Sequence, residues 1–462
     1  MAEDWDVRVE PADAPLVWAP AMSRRDRRAA RKREQRRRRA RQGVAALGAL
    51  LVVCGGVVAT TSLIRSSADD GPANDPTVAG TSVSRTSPTT PGRTPLITPE
   101  IGSPASTIAP DATTPAGAGQ ARSVRIMFSG DMIPHSPIVA RAGANGKATA
   151  KRYDFDPMLS SVRPIISSAD IAICHLESPV SPDDSKVSGF PTFNAPIEFA
   201  SAIAAAGYDG CSVASNHAMD AGRTGIGRTL DALDASGLKH AGTARSAAES
   251  ASATVYAANG VKVAHLSYAY GLNGFTVPAD RPWLVNIIDP DRILADAHAA
   301  KAGGADIVVV SIHCCVEYKH APAPLQKELA EKLLASDDID LIVGHHAHVI
   351  QPIAKVNGKP VSFGLGNFLT NQSSLCCVPE SQDGMILDVT LTGTPGAGRF
   401  SVTDLKAHPT WVDRAGGYVV TPIARALADA ATPAPKRAQL EASLVRTTRE
   451  LQSLGVPVDT SG

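Results

Sequence analysis

Short clusters of histidine, acid and amide residues stand out in the middle of the chain. They are Gly130-Asp131, His175-Leu176-Glu177, Asn216-His217, His313 and the run Gly-His-His-Ala-His at 344–348. Imidazole nitrogens together with carboxylate and amide oxygens suit a borderline divalent ion such as zinc, manganese or iron. About six such ligands exceed the four that one tetrahedral zinc takes, so the clusters predict two metal ions.

Each cluster alone has a plainer interpretation. An acid after a strand often caps a helix or neutralises its N-terminus, and a lone histidine is usually a hydrogen-bonded core or surface residue. His346 and His348 are more specific, because residues two apart in an extended backbone point the same way and can bind one ion. An exposed polar loop is the alternative for this pair.

The elements that precede the clusters explain how the clusters could meet. Short apolar runs predict strands at 124–129, 171–175, 210–214, 261–268, 307–313, 341–344, 361–364, 385–391 and 400–407. Longer patterns predict helices near 197–206, 222–236, 290–303, 322–336 and 435–454. This alternation predicts one large α/β domain with a mainly parallel sheet and an antiparallel part towards the end. Ligand-binding residues gather at the carboxyl ends of parallel strands, which is where the clusters fall.

The N-terminal third predicts targeting and spacing. The chain has 462 residues and no net charge, but residues 23–42 hold twelve bases and two acids. The uncharged run 43–64 is long enough, at about 1.5 Å per residue, to cross a bilayer core of roughly 30 Å. The basic block before it predicts a single-pass membrane helix with the tail 1–42 in the cytoplasm and the main domain outside the cell. Residues 65–121, rich in Ser, Thr, Pro, Ala and Gly, predict a disordered linker.

Other interpretations of this N-terminal region fit less well. A cleaved signal peptide would need a polar leader of about forty residues, longer than an ordinary one. A lipoprotein anchor at Cys54 would have Val53 where a small residue should stand. The basic block could bind nucleic acid, but beside a membrane span it more simply sets topology and contacts anionic lipid. Aromatic residues are only 4% of the chain, which leaves little for base stacking, so no nucleic-acid partner is expected.

Six segments resemble the successive motifs of CapA-type poly-γ-glutamate capsule synthesis proteins, a family of the calcineurin-like metallophosphatase superfamily. The segments are FSGDM, CHLESP, SNHAMDAG, SIHCCVEY, GHHAHVIQPI and SFGLGNF, and they fall within residues 123–392. The resemblance implies a four-layer α/β/β/α metallophosphatase-like sandwich at 122–430, followed by a C-terminal helix and tail at 431–462.

The resemblance also implies roles for individual residues. The implied ligands of two divalent ions (manganese, iron or zinc) are Asp131 and His348 for the first, Asn216, His313 and His346 for the second, and Glu177 between them. His217 resembles the histidine that protonates the leaving group. Further residues expected around the ligands are His135, His175, Asp220, Glu317, His345 and Asn367.

Three positions depart from the pattern of this superfamily. Ile133 stands where the superfamily has a histidine, and His135 is a candidate substitute. His175 replaces the family's asparagine, and we expect it first of all to support a ligand, with metal binding as the alternative. Cys314 and Cys315 replace a Trp-Gly pair, which changes the backbone beside a ligand of the second ion.

Three functions remain open for such a site. The chain could be a membrane-tethered metallophosphoesterase acting outside the cell, a non-catalytic polymer-binding or assembly protein, or a metal-dependent hydrolase of γ-glutamyl amide bonds. We expect a surface-polymer biosynthesis protein with a metallophosphatase-like site. The expected partners are the membrane, a surface polymer or phosphoester substrate, and other capsule-assembly membrane proteins.

An extracellular location permits disulfides among the seven cysteines. The adjacent pairs 314–315 and 376–377 both follow predicted strand ends, so a bridge between one member of each pair is predicted if both loops border the same site. Free thiols are one alternative, and metal thiolates at 314–315 are another. Cys174 and Cys211 lie in apolar strands and are expected to be buried free thiols.

Overall fold

The computed structural model describes residues 120–184, 186–396 and 399–461. The basic tail 1–42, the apolar run 43–64 and all but the last two residues of the linker 65–121 lie outside the described residues, and so do the predictions made for them. Within the described part of the chain, no helix is both long and apolar enough to cross a membrane.

Sixteen strands occur in the described residues, in two large sheets and one small one. Their bounds are β1 Arg122–Met132, β2 Ile171–Leu176, β3 Val180–Ser181, β4 Ala195–Pro196, β5 Gly210–Ser212, β6 Lys239–Ala241, β7 Thr254–Ala258, β8 Val261–Ala269, β9 Ile307–His313, β10 Leu341–His345, β11 Ile353–Val356, β12 Lys359–Ser362, β13 Asn367–Leu369, β14 Asp383–Gly393, β15 Ser401–Asp413 and β16 Val419–Pro422.

Both large sheets combine parallel and antiparallel pairing. The first has the order β16-β15-β14-β1-β2-β5-β6, with β13 beside β1. Its strands are parallel from β1 to β6 and antiparallel from β1 to β16. The second has the order β11-β12-β10-β9-β8-β7, parallel in the centre and antiparallel at both edges. The predicted mixed α/β fold and its antiparallel part are confirmed.

Helices connect many of these strands. Their bounds are α1 Ser136–Thr149, α2 Asp156–Leu159, α3 Arg163–Ile166, α4 Glu198–Ala205, α5 Gly222–Ala235, α6 Ala247–Ser250, α7 Pro290–Ala302, α8 Pro324–Leu334, α9 Ile423–Ala428 and α10 Ala434–Leu451, with a 3-10 helix at Pro379–Gln382. The five predicted helices are α4, α5, α7, α8 and α10. α1 is an unpredicted addition: its two glycines disfavour a helix, and burial of Ile138 and Ala142 in the core overrides that propensity.

The side-chain alternation of β1 shows how the layers pack. Val124, Ile126 and Phe128 belong to an apolar cluster shared with strands of the second sheet, whereas Met127 belongs to the cluster beneath α1 and α4. A third cluster holds α7 and α8 against the second sheet, for example through Leu333. The two sheets therefore face each other, each with helices on its other side.

Candidate metal centre

The candidate site lies where the carboxyl ends of β1, β2, β9 and β10 meet. Within the first sheet, Asp131 is the register partner of both His175 and Asn367. Within the second sheet, His345 is the register partner of His313. A hydrogen bond of 3.2 Å from His345 Nδ1 to Asp131 Oδ1 joins the two sheets at this point. Parallel strands thus deliver the predicted residues to one place from both sheets.

Asp131 accepts three hydrogen bonds from residues 345–348, the end of β10 and the turn after it, which we call the histidine loop. Besides the bond from His345, its Oδ2 accepts from His346 N at 3.1 Å and from His348 Nδ1 at 3.0 Å. Burial alone would raise the pKa of Asp131, but the bonds from His345 and His348 hold that pKa well below its usual value. Asp131 is therefore a buried anion.

The backbone of the histidine loop is bent. His346 and His348 have φ angles of 87° and 56°, in the left-handed region that non-glycine residues rarely adopt. The prediction of an extended backbone at this pair is wrong, because the chain turns sharply after β10. The turn still brings the two rings within 5.9 Å of each other. Such backbone conformations cluster at functional sites.

Glu177 is the most unusual group of the site. Its side chain is fully buried, and neither carboxylate oxygen has a hydrogen-bond partner among the described residues. Oε1 lies 3.7 Å from His313 Nε2 and 3.9 Å from His348 Nε2. Burial raises the pKa of Glu177 well above its usual value. A buried carboxylate without donors is costly, and a bound cation would remove that cost.

Two groups of side chains at the site could each hold a metal ion. Asp131, His175, Glu177 and His313 offer ligand atoms within 4.8 Å of one another, and so do Glu177, His346 and His348. Glu177 belongs to both groups. The buried Nδ1 of His346 also lacks a hydrogen-bond partner among the described residues. These donors, together with the unpaired carboxylate, fit a divalent cation.

The protonation of His348 is set by its acidic neighbours. Burial lowers the pKa of His348, but the charges of Glu177 and Asp131 and the hydrogen bond to Asp131 raise it to about 9. Burial lowers the pKa of His346 to about 3 and that of His313 well below its usual value. Of these three imidazoles, His348 is thus the one held in the cationic form, whereas His346 and His313 are neutral and able to act as ligands.

His175 and Asn216 both contact His313. The Nε2 of His175 lies 2.9 Å from His313 Nδ1, and its Nδ1 lies 2.7 Å from Ser212 Oγ. Asn216 Oδ1 accepts a hydrogen bond of 3.0 Å from His313 Nε2. His175 also stacks on His345, with ring centroids 4.0 Å apart. It therefore lies among the candidate ligands and could bind a metal itself, the alternative to the expected supporting role.

His217 lies at the rim of the site with an acid behind it. Its Nδ1 donates to Asp220 Oδ2 at 2.7 Å, and the same oxygen accepts from the backbone N of Phe193. The ring of Phe193 packs edge-on against the His217 ring at 4.7 Å. Asp220 thus fixes the imidazole orientation and leaves Nε2 as the nitrogen available for proton transfer.

The remaining predicted residues lie at the edges of the site. His135 donates from its Nδ1 to the carbonyl oxygen of Ile133 at 2.9 Å and packs on Phe193, and burial lowers its pKa to about 4. The amide nitrogen of Asn367 lies within 3.3 Å of three acceptor oxygens, those of His348, Gln372 and Ser381. Glu317 is exposed and raises the pKa of Glu177 through its charge.

Sequence reasoning missed two residues that contact the site. The Tyr270 ring lies 4.7 Å from the ring of His346, and burial raises the pKa of its hydroxyl to about 12. Asn273 accepts from Asn216 Nδ2 at 3.3 Å and lies 3.4 Å from His217 Nδ1. Both follow the carboxyl end of β8, so the strand-end rule could have found them, although no acid or histidine marks that end.

The disulfides differ from the expected ones. Cys174 and Cys211 are register partners on β2 and β5, with Cα atoms 4.4 Å apart, and they form a disulfide instead of remaining free thiols. Cys314 bonds to Cys315 and Cys376 bonds to Cys377, so the predicted bridge between the two pairs is wrong. In both pairs each cysteine is bonded to its neighbour in the sequence. With this disulfide formed, Cys314 and Cys315 have no thiolate that could bind a metal.

Comparisons with known proteins agree with the motifs of the chain. Residues 125–372 match the family described as Bacterial capsule synthesis protein PGA_cap. The capsule biosynthesis protein CapA of Bacillus anthracis is 30% identical over 238 residues, which are 50% of this chain and 57% of that relative. The PGA biosynthesis protein CapA of Bacillus subtilis (strain 168) is 27% identical over 297 residues, 63% of this chain and 76% of that relative.

The solved structures of similar proteins are more distant. The crystal structure of the calcineurin-like phosphoesterase YfkN from Bacillus subtilis is 16% identical, and the alignment covers 71% of this chain and 98% of that one with a TM-score of 0.35.

Proposed function

We propose, since the chain belongs to the bacterial capsule synthesis protein family PGA_cap, that it takes part in surface-polymer biosynthesis of the poly-γ-glutamate type through a metal centre with phosphoesterase chemistry. The single observation that carries the chemical part is Glu177: a fully buried carboxylate with two unpaired oxygens, shared by both groups of candidate ligands. A structural acid would have hydrogen-bond donors around it.

The proposed centre would hold two divalent ions, manganese, iron or zinc. The side chains fall into two groups that share Glu177, one with Asp131, His175 and His313 and the other with His346 and His348, and each group would hold one ion. Asn216 would contribute beside His313. This grouping differs from the one that the resemblance implies, which places Asp131 with His348 and His313 with His346. When bound, such ions supply Lewis-acid catalysis by polarising a phosphoryl oxygen.

The protein residues supply orientation and proton transfer. His217 donates a proton from Nε2 to the departing oxygen, because its Nδ1 is occupied by Asp220. Asn273 borders both Asn216 and His217, so it is placed to orient the reacting group between the ligands and the proton donor. The buried walls of the site keep these electrostatic interactions strong.

The proposal includes an extracytoplasmic location. It is supported by the uncharged run 43–64 directly after the basic block 23–42, which is typical of a membrane anchor with its N-terminus inside. The three disulfides among the described residues also support it, because disulfides persist in oxidising compartments.

Metal content and hydrolysis of the purified full-length chain test this function together. We expect bound divalent metal and turnover of the simple phosphodiester bis(p-nitrophenyl) phosphate. Asp131→Ala and His348→Ala should lose metal and activity with little change in fold, whereas His298→Ala, a surface histidine paired with Asp338, should lose neither.

Other outcomes would decide between the remaining functions. A chain that takes up no divalent ion under any condition would remove the enzymatic proposal. Metal uptake with cleavage of γ-glutamyl amides in place of phosphodiesters would identify an amide hydrolase. Metal uptake without turnover of either bond would favour polymer binding or assembly.

A further inference from the structure

Tyr270 is a half-buried phenol that lies against both groups of candidate ligands. It follows directly after β8, and its backbone N donates to the carbonyl oxygen of His313 at 3.0 Å. Its ring centroid lies 4.7 Å from that of His346 and 6.4 Å from that of His313. His313 belongs to one group of candidate ligands and His346 to the other. Backbone and ring thus fix the phenol at the point where the two groups meet.

The hydroxyl of Tyr270 is held as an acceptor and remains available as a donor. Its oxygen accepts a hydrogen bond from the side-chain amide of Asn216. Asn216 in turn accepts from His313 at its Oδ1 and donates to Asn273 at 3.3 Å. No described residue accepts the hydroxyl proton of Tyr270. Because a phenol keeps this proton at neutral pH, Tyr270 presents an oriented hydrogen-bond donor beside the candidate ligands.

A second phenol near the site differs in this respect. Tyr318 is also half-buried, and its ring centroid lies 5.9 Å from that of His348. Its hydroxyl donates to Glu317, so this proton already has an acceptor. Of the two tyrosines, Tyr270 is therefore the one whose hydroxyl can donate to a bound molecule without giving up a contact within the described residues.

The charges around Tyr270 indicate when such a molecule can approach. The exposed Glu317 acts on Tyr270 through its charge, and Asp131 is a buried anion of the same site. These charges would repel an anionic oxygen from the metal-free site. Divalent ions offset them, so we expect the hydroxyl to meet an oxyanion only in the metal-loaded protein.

We propose that Tyr270 is a further catalytic residue, which donates a hydrogen bond to a non-bridging oxygen of the reacting phosphoryl group in the transition state. The inference rests on the proposed function, because it gives Tyr270 a part in the same reaction. His217 serves the departing oxygen, whereas Tyr270 serves an oxygen that stays on phosphorus. The proton remains on the phenol, and no covalent bond to Tyr270 forms or breaks. A fixed donor of this kind acts mainly on charge that develops in the transition state.

The variant Tyr270→Phe tests this role, because it removes the hydroxyl and keeps the ring against His346. With the full-length, manganese-loaded chain, kcat for bis(p-nitrophenyl) phosphate should fall roughly a hundredfold, whereas KM and the bound manganese should stay within about twofold of wild type. The matched control is Tyr318→Phe, which removes a hydroxyl that donates to Glu317 and should lower kcat much less.

Binding of two oxyanions gives a readout that does not need turnover. Orthovanadate can adopt the five-coordinate geometry of the transition state, whereas inorganic phosphate is tetrahedral like the product. In calorimetric titrations of the manganese-loaded chain, Tyr270→Phe should weaken vanadate binding about tenfold and phosphate binding less than about twofold, since the lost bond belongs to the transition state. Wild-type protein treated with chelator should bind neither anion.

Other results overturn this role of Tyr270. Loss of manganese from Tyr270→Phe would make the residue a ligand or a structural support. Equal weakening of vanadate and phosphate would make it a residue for ground-state binding. Unchanged kcat and vanadate binding would remove any role of the hydroxyl, and an equal loss in Tyr318→Phe would show that the effect is not specific to Tyr270.

The failure of the proposed function is seen in the wild-type chain, whereas the failure of this inference is seen in the difference between wild type and Tyr270→Phe. A wild-type chain that takes up no divalent ion overturns both. If it binds manganese and vanadate but cleaves no phosphodiester, the phosphoesterase proposal fails, and a selective loss of vanadate binding in Tyr270→Phe still supports Tyr270 as the oxyanion donor. Phosphodiester cleavage that Tyr270→Phe leaves unchanged overturns only the role of Tyr270.

Discussion

Asp131 and Glu177 show how two buried carboxylates of one site acquire opposite properties. Asp131 receives three hydrogen bonds from the histidine loop, and its pKa falls. Glu177 receives none from the described residues, and its pKa rises. The difference comes from hydrogen-bond donors and not from burial, since both side chains are buried. A cation next to Glu177 would stabilise the negative charge for which the described residues provide no hydrogen-bond donor.

Replacing Glu177 tests this directly. In metal-free protein, Glu177→Gln should change the free energy of unfolding by less than about 1 kcal/mol, because it removes a buried carboxylate without donors but also the attraction of that carboxylate to His348. In saturating Mn²⁺ the variant should be clearly less stable than wild type, because it loses a ligand. Urea unfolding of both proteins, with chelator and with Mn²⁺, measures the two differences. A difference that is the same with chelator and with Mn²⁺ would contradict the assignment of Glu177 to a cation site.

The proton-transfer role of His217 gives a different pattern. His217→Ala should retain bound metal and lose roughly a hundred- to ten-thousand-fold in kcat, because only proton donation is removed. Asp220→Asn should lower kcat less, because the amide oxygen can still accept from His217 Nδ1 but no longer carries the charge that stabilises a protonated imidazole. Metal analysis and steady-state kinetics distinguish this from a ligand role. Loss of metal in His217→Ala would contradict it.

At the scale of elements, hydrogen bonds to one buried acid hold helix α10 against β14. Asp383 at the start of β14 accepts from Ser443 at 2.7 Å and from two nitrogens of Arg446 at 2.9 Å. The Asp383 side chain is only 3% exposed. Leu440 adds a small apolar contact with Trp411 and Ile423. The helix therefore packs against the first sheet through these hydrogen bonds to Asp383 and through the neighbouring apolar contact of Leu440.

Removing the hydrogen bonds between Arg446 and Asp383 should weaken the packing of α10 on β14. Arg446→Ala leaves the buried Asp383 with only Ser443 as a side-chain donor, and we expect a loss of about 1.5–3 kcal/mol in the free energy of unfolding. Arg449→Ala on the same helix removes an exposed pair with Glu450 and should cost less than about 0.5 kcal/mol. Denaturant unfolding measures both. Equal effects would show that Asp383 does not depend on Arg446.

At the scale of the whole molecule, the site exists only because the two sheets pack together. Asp131, His175 and Glu177 come from the first sheet and its loops, whereas His313 and the histidine loop come from the second. An apolar layer shared by both sheets holds these two sets in position. Metal binding should therefore stabilise the entire domain, by about 2.7 kcal/mol at a hundred times the dissociation constant.

The pH dependence of global stability depends partly on Asp388 in the first sheet. Burial raises the pKa of Asp388, but bonds from His408 and Arg125 bring it down to about 2, below the roughly 3.9 of an unfolded chain. A lowered pKa stabilises the fold above about pH 4, and this contribution is lost as the pH falls through about 2. Asp388→Asn should cost on the order of 1 kcal/mol at pH 6, a figure reduced for the part-exposed Arg125, and close to nothing at pH 2.

Urea unfolding at pH 6 and at pH 2 measures this difference. The control is Asp404→Asn, which removes an exposed carboxylate paired with Lys406 and should have little effect at either pH. A penalty for Asp388→Asn that stays the same at both pH values would contradict the assignment.

The proposed membrane anchor and its orientation can be tested on the full-length protein. A reporter fused after residue 70 should be active only if it functions outside the cytoplasm, because the basic block 23–42 precedes the uncharged run 43–64. A fusion before residue 23 should give the opposite result. Activity of a cytoplasm-only reporter after residue 70 would overturn the proposed location.

Sequence periodicity was sufficient for much of the architecture. The alternating strands and helices, and the polar clusters after strand ends, predicted a mixed α/β domain, because these patterns depend on neighbouring residues and on the direction of parallel strands. Histidine and acid residues that follow strand ends indicated most of the candidate site, because the carboxyl ends of parallel strands lie at one edge of a sheet. Tyr270 and Asn273 were missed because β8 ends without such a residue.

Only the tertiary structure decided which residues meet across the chain. The Cys174–Cys211 disulfide depends on the register of β2 with β5, which local patterns do not contain. The bent backbone at His346 and His348 depends on a turn that the sequence does not signal with glycine. The unpaired state of Glu177 depends on every group packed around it. Register, turns and hydrogen-bond satisfaction arise from contacts between distant segments, and that is why sequence pattern alone could not supply them.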